Sequence, residues 1–315
     1  MTETEVGVPA PLDRAIAMFR EVVPAGSGGD PQEIREGFEA MLSRLPIADD
    51  AVIAAGSLGD VKGYWVHAPG AVSERVGVMF HGGGYIMGSA KGYRAYAAEI
   101  SRVTNSRVFV ADYRLAPEHP FPAAIEDAVS VLSAAMDEVG AQSCFAIGDS
   151  AGGGLVLSAL CELRRDGGAS PACIVLVSPL VDLTVTNASF DERADIDPVV
   201  SRKGTQRNAA LYLAGRGPDD APAAFPMRSD LGWLPPCLLR VGGRECLIDD
   251  SRNLAAKLKR EGAQVDYREY DGMVHVWPLF SEFLPEAQDA LGEIGAFVGV
   301  QIAGPVDSPG KGVGK

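Results

Sequence analysis

Cys144-Phe145-Ala146-Ile147-Gly148-Asp149-Ser150-Ala151-Gly152-Gly153-Gly154-Leu155 is the stretch around which the chain is organised. A short apolar run enters, a Gly-x-Ser-x-Gly block follows, and small and aliphatic residues continue as a helix would. The pattern is that of a nucleophile elbow: a strand, a sharp turn with serine at its apex, then a helix. Gly148 and Gly152 flank the serine because neither position leaves room for a Cβ where the strand reverses into the helix. The turn lifts the Ser150 hydroxyl out of the sheet, and the helix start places free N–H groups and a positive dipole end beside it. Alone, such a block is also compatible with an ordinary strand–helix turn. Its neighbours decide between the two.

Upstream, residues 76–80 form a continuous apolar run, as a strand buried on both faces should. It leads directly into His81-Gly82-Gly83-Gly84-Tyr85. Consecutive glycines let a backbone turn its N–H groups toward an oxygen that would otherwise carry uncompensated charge. A glycine loop after a buried strand, well before a serine elbow, is therefore expected to be an oxyanion hole. Gly82 and Gly83 would supply two donors and the Ala151 N–H a third. His81 precedes the hole rather than facing the nucleophile, so it is expected to fix the loop.

A serine hydroxyl needs a base, and the base needs an acid to set its tautomer and support its charge. The chain holds four histidines. His67 closes a strand pattern and His119 sits in a proline-flanked loop, so both are read as structural. His275 lies late in the chain, in Asp271-Gly272-Met273-Val274-His275-Val276-Trp277, after a strand at 265–270, and is the candidate base. For the acid, Glu245 follows the strand at 237–241 within a few residues and is favoured. Asp249 is the alternative, with Asp250 behind it; both suit the capping of the next helix.

The remaining segments give the frame. Residues 11–23 and 31–45 read as two amphipathic helices around a glycine-rich turn at 26–29, with Asp30 and Glu33 spaced as a capping box and Pro31 at the first helical position. Short alternating runs over 51–68 suggest antiparallel strands, followed by a helix at 96–103 and a strand at 107–111. In the loop at 112–122, Arg114 and Glu118 are spaced for a local ion pair. A helix at 123–139 leads back to the elbow strand, and 174–178 is a further strand. Residues 183–228 break the strand–helix rhythm, with one helix at 202–213; an insertion at the C-terminal end of a strand is where a substrate cap belongs.

Composition narrows the classes. At 315 residues and 47 % hydrophobic content the chain is globular, and no apolar run is long enough to span a bilayer. The acidic N-terminus lacks the pattern of a secretory signal. The five cysteines are read as reduced and buried, without zinc spacing, in a cytoplasmic protein. A net charge of −14 speaks against a nucleic-acid surface.

Taken together, His81-Gly82-Gly83-Gly84, Tyr113-Arg114-Leu115-Ala116-Pro117-Glu118, Gly148-Asp149-Ser150-Ala151-Gly152-Gly153, Ser178-Pro179-Leu180-Val181-Asp182-Leu183 and Asp271-Gly272-Met273-Val274-His275 resemble the signature blocks of the bacterial hormone-sensitive-lipase-like (family IV) esterases of the α/β-hydrolase superfamily. The resemblance implies an α/β-hydrolase fold: a mostly parallel central sheet with helices on both faces. One domain would cover residues 1–315, with a helical cap from about 1–46 and about 183–228 and a disordered tail at 304–315. It implies a carboxylesterase acting on short- to medium-chain acyl esters through Ser150, His275 and an acid, with no metal or organic cofactor. The acid falls at the first carboxylate after the strand, here Glu245 where many relatives carry aspartate. A lactone hydrolase or N-deacetylase using the same residues is the alternative, and a non-catalytic ligand-binding protein is the remote one. Partners would be a small ester and, by edge-strand pairing, a second copy in a homodimer; stable membrane insertion is not expected.

Overall fold

A computed structural model of the chain describes residues 10–22 and 30–302. The expected turn at 26–29 and tail at 304–315 lie outside the described residues. Eight strands form one sheet in the order β1-β2-β4-β3-β5-β6-β7-β8. They are β1 (Val52–Leu58), β2 (Val61–His67), β3 (Val72–Phe80), β4 (Ser106–Ala111), β5 (Cys144–Asp149), β6 (Cys173–Val177), β7 (Cys237–Gly242) and β8 (Val265–Tyr270). The β1–β2 and β2–β4 pairs are antiparallel and every later pair is parallel. The central strands β5, β6 and β7 are buried along their whole length, covered on both faces, which is why they read as unbroken apolar runs.

The helices are α1 (Pro11–Arg20), α2 (Pro31–Leu42), α3 (Arg94–Thr104), α4 (Ala123–Val139), α5 (Ala151–Arg165), α6 (Ser189–Glu192), α7 (Arg202–Leu213), α8 (Ile248–Glu261) and α9 (Pro285–Gln301). Side chains alternate across a strand. Val76, Val78 and Phe80 of β3 therefore join one core with α4, α5 and α8, while Met79 joins the other with α3 and α9. The apolar faces of α1 and α2, including Phe19, Phe38 and Leu42, extend that second core. At the start of α2, Asp30 accepts from the Gln32 and Glu33 N–H groups, satisfying two donors of the first turn.

β3 lies between β4 and β5, so successive connections from it leave in opposite directions. That switch point opens a crevice at the carboxyl ends of the strands. The glycine loop after β3 and the turn after β5 both end there.

One expected contact is replaced. Arg114 pairs with Asp127 at 2.8 Å and Glu126 at 2.9 Å, not with Glu118. Glu118 instead receives two bonds from Arg35 of α2, at 2.8 and 2.6 Å. The same guanidinium donates to the carbonyls of Ile86 and Ala116, tying α2 to the loops beneath it. A four-residue spacing aligns side chains on a helix, but here the segment is an irregular loop, so that spacing does not bring Arg114 and Glu118 together. All five cysteines are free; Cys161 is half-buried and the rest are buried.

Candidate active site

The elbow is compressed enough to dictate its glycines. A Cβ on Gly148 would overlap the Gly152 carbonyl, and one on Gly152 would overlap the Phe80 carbonyl of the neighbouring strand. Ser150 itself has φ 51° and ψ −122°, a conformation that costs an L residue energy and is retained at functional turns. Its N–H donates to Val177 and its carbonyl accepts from Leu180, so β6 and the following loop hold the strained residue in place.

Glu245 and His275, thirty residues apart in sequence, meet in the interior. His275 Nδ1 lies 2.7 Å from Glu245 Oε2. The other carboxylate oxygen accepts from the Gly242 N–H at 2.6 Å and the Ser178 hydroxyl at 2.7 Å. Ser178 Oγ in turn accepts from the Val276 N–H. Glu245 is fully buried, and these donors compensate its charge. Burial pulls the His275 imidazole down, but the Glu245 charge and hydrogen bond, with Asp197 and Asp149 nearby, outweigh it and leave the pKa raised. With Nδ1 donating to the carboxylate, Nε2 is the nitrogen left to exchange a proton.

The alternative acids are committed elsewhere. Asp249 accepts from the Ser189 N–H and pairs with Arg252. Asp250 accepts from the Val181 and Asp182 N–H groups and from Asn187 Nδ2, and burial pushes its carboxyl up to about 7.

The glycine loop after β3 lies against the elbow, and the expected donors Gly82 and Gly83 differ in their surroundings. The Gly82 N–H points at Asp149 Oδ1 and Tyr93 Oη, each 3.1 Å away, so it is already spent. Gly83 and Gly84, with φ 123° and 60°, line the cavity instead. Their N–H groups and that of Ala151 find no acceptor among the described residues. His81 is sealed beneath the loop, its ring stacked on Tyr113 at 4.4 Å and its Nδ1 on the Gly82 carbonyl. Burial holds its imidazole neutral, down to about 4.

Ser150, His275, Gly83 and Gly84 share the lining of one cavity of about 490 Å³. Phe19, Val22, Ile34 and Phe38 reach it from the N-terminal helical segment, and Val199 to Asn208 from the 183–228 insertion. His67 and His119 do not line it.

Residues 77–279 match the family model described as an alpha/beta hydrolase fold. The chain belongs to the α/β-hydrolase family. An acetyl-hydrolase of Streptomyces hygroscopicus is 36 % identical over 247 residues, covering 77 % of this chain and 81 % of that protein. A solved esterase of the bacterial hormone-sensitive lipase family is 40 % identical, with TM-score 0.88 over 96 % of this chain and all of that one. The esterase EstE5 is 38 % identical, with TM-score 0.87 over 94 % of this chain and all of its own. This α/β-hydrolase is accordingly a carboxylic ester hydrolase of the hormone-sensitive-lipase-like group. No described helix of the enzyme is long and apolar enough to cross a membrane.

Sequence reasoning missed three supports of the site: Ser178, which donates to Glu245, and Asp149 and Tyr93, which hold the glycine loop. Ser178 and Asp149 lie inside two of the motif blocks, at strand ends, but without an assigned role there. Tyr93 carries no local signal; only the folded packing identifies it.

Proposed function

We propose that the enzyme hydrolyses short- to medium-chain acyl esters with Ser150 as nucleophile, His275 as base and Glu245 as its acid. The observation that carries this reading is the buried Glu245–His275 bond opening onto the same cavity as Ser150. Ser150 Oγ attacks the ester carbonyl carbon while its proton passes to His275 Nε2. The tetrahedral oxyanion forms against the N–H groups of Gly83, Gly84 and Ala151, each donor worth roughly 3 kcal/mol of barrier. Collapse breaks the bond to the leaving alcohol, which takes the proton from His275. Water, deprotonated by the same imidazole, then attacks the acyl-serine, releasing the acid and restoring the hydroxyl.

The N-terminal helices and the 183–228 insertion act as a cap that bounds the acyl pocket. Phe19, Val22, Phe38 and Leu279 give that pocket an apolar wall. The exposed large apolar residues among those described are Val52, Val72 and Val300, and none belongs to the cap. A lid built to settle on a lipid droplet would expose a contiguous apolar patch. The names of the relatives fit short acyl groups: one is an acetyl-hydrolase, and EstE5 crystals were soaked with p-nitrophenyl butyrate.

The test is hydrolysis of p-nitrophenyl esters from acetate to palmitate by wild type and Ser150→Ala. Turnover that peaks at short or medium chains and falls about 10⁴-fold or more in Ser150→Ala is the expected result. Absence of ester turnover in the wild type, or turnover that survives Ser150→Ala, would sink the reading.

A further inference from the structure

Asp149 is buried directly before the nucleophile and is not needed to move a proton in the acyl transfer. Both of its oxygens are nevertheless used. Oδ1 accepts the Gly82 N–H at 3.1 Å, and Oδ2 accepts the Tyr93 hydroxyl at 2.8 Å. The side chain is 2 % exposed. A Cβ on Gly82 would overlap Asp149 Oδ2 and approach Ser150 Cβ, so the glycine loop lies directly against the carboxylate. The opposite side of the loop is closed by Tyr113, which stacks on His81 and donates to its carbonyl at 2.7 Å.

A peptide plane is rigid, so fixing the Gly82 N–H constrains the plane entering the loop. The next two residues have left-handed φ and are glycines with wide conformational freedom. The Gly82 carbonyl meets His81 Nδ1 and the Gly83 carbonyl accepts the Ile86 and Met87 N–H groups, so these planes are held within the loop, while the Gly82 N–H bond to Asp149 ties that loop to the elbow bearing Ser150.

We propose that Asp149 is a positioning residue for the oxyanion hole: by holding the Gly82 N–H it aims the Gly83 and Gly84 N–H groups at the reacting carbonyl. The proposal rests on the Gly83–Gly84–Ala151 hole inferred above. The groups facing Asp149 are Tyr93 and Tyr96 from the α3 side, Tyr113 from the loop after β4, and His275 from the loop after β8. Burial raises its carboxyl to about 7, with the Tyr93 bond, the His275 charge and the Gly82 N–H opposing that rise. A neutral amide retains one acceptor for the Gly82 N–H, whereas an isosteric hydrocarbon retains none.

The test compares Asp149→Asn and Asp149→Leu with wild type on p-nitrophenyl butyrate, and measures inhibition by a short alkyl trifluoromethyl ketone. That ketone adds the Ser150 oxygen to its carbonyl carbon and places an oxyanion in the hole. Asp149→Leu is expected to lose about 100-fold in kcat with KM within threefold of wild type, and to lose ketone affinity in parallel, as expected when one oxyanion donor is misplaced. Asp149→Asn is expected to stay within tenfold on both readouts. A folded Asp149→Leu with near-normal kcat would overturn the proposal. So would a folded Asp149→Asn that loses 100-fold, which keeps the question decidable if the leucine variant does not fold. Wild type that binds the ketone no better than Ser150→Ala would instead refute the oxyanion hole itself, and the proposal with it.

Discussion

Ser150 and Phe38 line the same cavity, one from the turn after β5 and the other from α2, and different forces hold them there. Around Ser150 the backbone is strained, adjacent strands supply its hydrogen bonds, and the neighbouring carboxylates are buried and matched to donors. Around Phe38 the contacts are apolar, and α2 is tied down one turn earlier by the Arg35 cluster. Directional bonds in a buried site fix atoms to a fraction of an ångström. Apolar packing fixes a surface and lets it slide. The first suits groups that must react and the second suits a wall that only bounds the cavity.

If that contrast is right, breaking one directional bond beneath the cavity should damage chemistry more than breaking the tether above it. Ser178→Ala removes the hydroxyl that donates to Glu245 and accepts from Val276. A loss of about 10- to 100-fold in kcat for p-nitrophenyl butyrate is expected, with KM nearly constant, since supports of a catalytic group act on its geometry. Equal changes in kcat and KM would point to general disorder instead.

The pH dependence sharpens the same point. His275 must be neutral to act as base, and its carboxylate neighbours raise its pKa above the ordinary 6.5. Activity should therefore fall as pH drops through a midpoint above 6.5, read from the acid limb of kcat/KM. The stability linkage has the opposite sense. Protonated His275 favours the folded state, so this contribution is complete below about 6.5 and is lost as pH rises through the folded value. An acid limb at or below 6.5 would mean that the Glu245 charge does not reach the imidazole as the geometry requires.

Arg35→Ala probes the roof. It removes donors to two backbone carbonyls and to Glu118, and should lower stability by about 2 kcal/mol while leaving kcat for acetate esters within about threefold. Thermal denaturation alongside the ester series checks both. A kcat loss as large as that of Ser178→Ala would erase the distinction between floor and roof.

The legibility of the chain follows the same division. The elbow, the glycine loop and the late histidine are written in local chemistry: overlapping carbonyls demand glycine at 148 and 152, and strands buried on both faces read as apolar runs. The approach of Glu245 to His275 was to be expected from its place after β7. Which glycine N–H is already bonded was not readable, because that depends on where the Asp149 carboxylate points, 67 residues further along. The partner of Glu118 is hidden from the sequence for a similar reason. Its four-residue spacing from Arg114 suggested a local pair, but its cation comes from Arg35, 83 residues away. The 183–228 insertion showed one helix by pattern, yet its contribution to the cavity wall is a matter of tertiary packing alone.

The central claim is that Glu245, and not the nearby Asp249, serves His275. The most direct measurement is kcat for p-nitrophenyl butyrate in Glu245→Gln and Asp249→Asn, side by side with wild type and with folding checked by circular dichroism. The geometry predicts a loss of about 10²- to 10⁴-fold for Glu245→Gln, because the amide can no longer stabilise the imidazolium. It predicts a change of less than about threefold for Asp249→Asn, whose carboxylate holds Ser189 and Arg252 instead. The reverse pattern, with Glu245→Gln active and Asp249→Asn silent, would contradict the account.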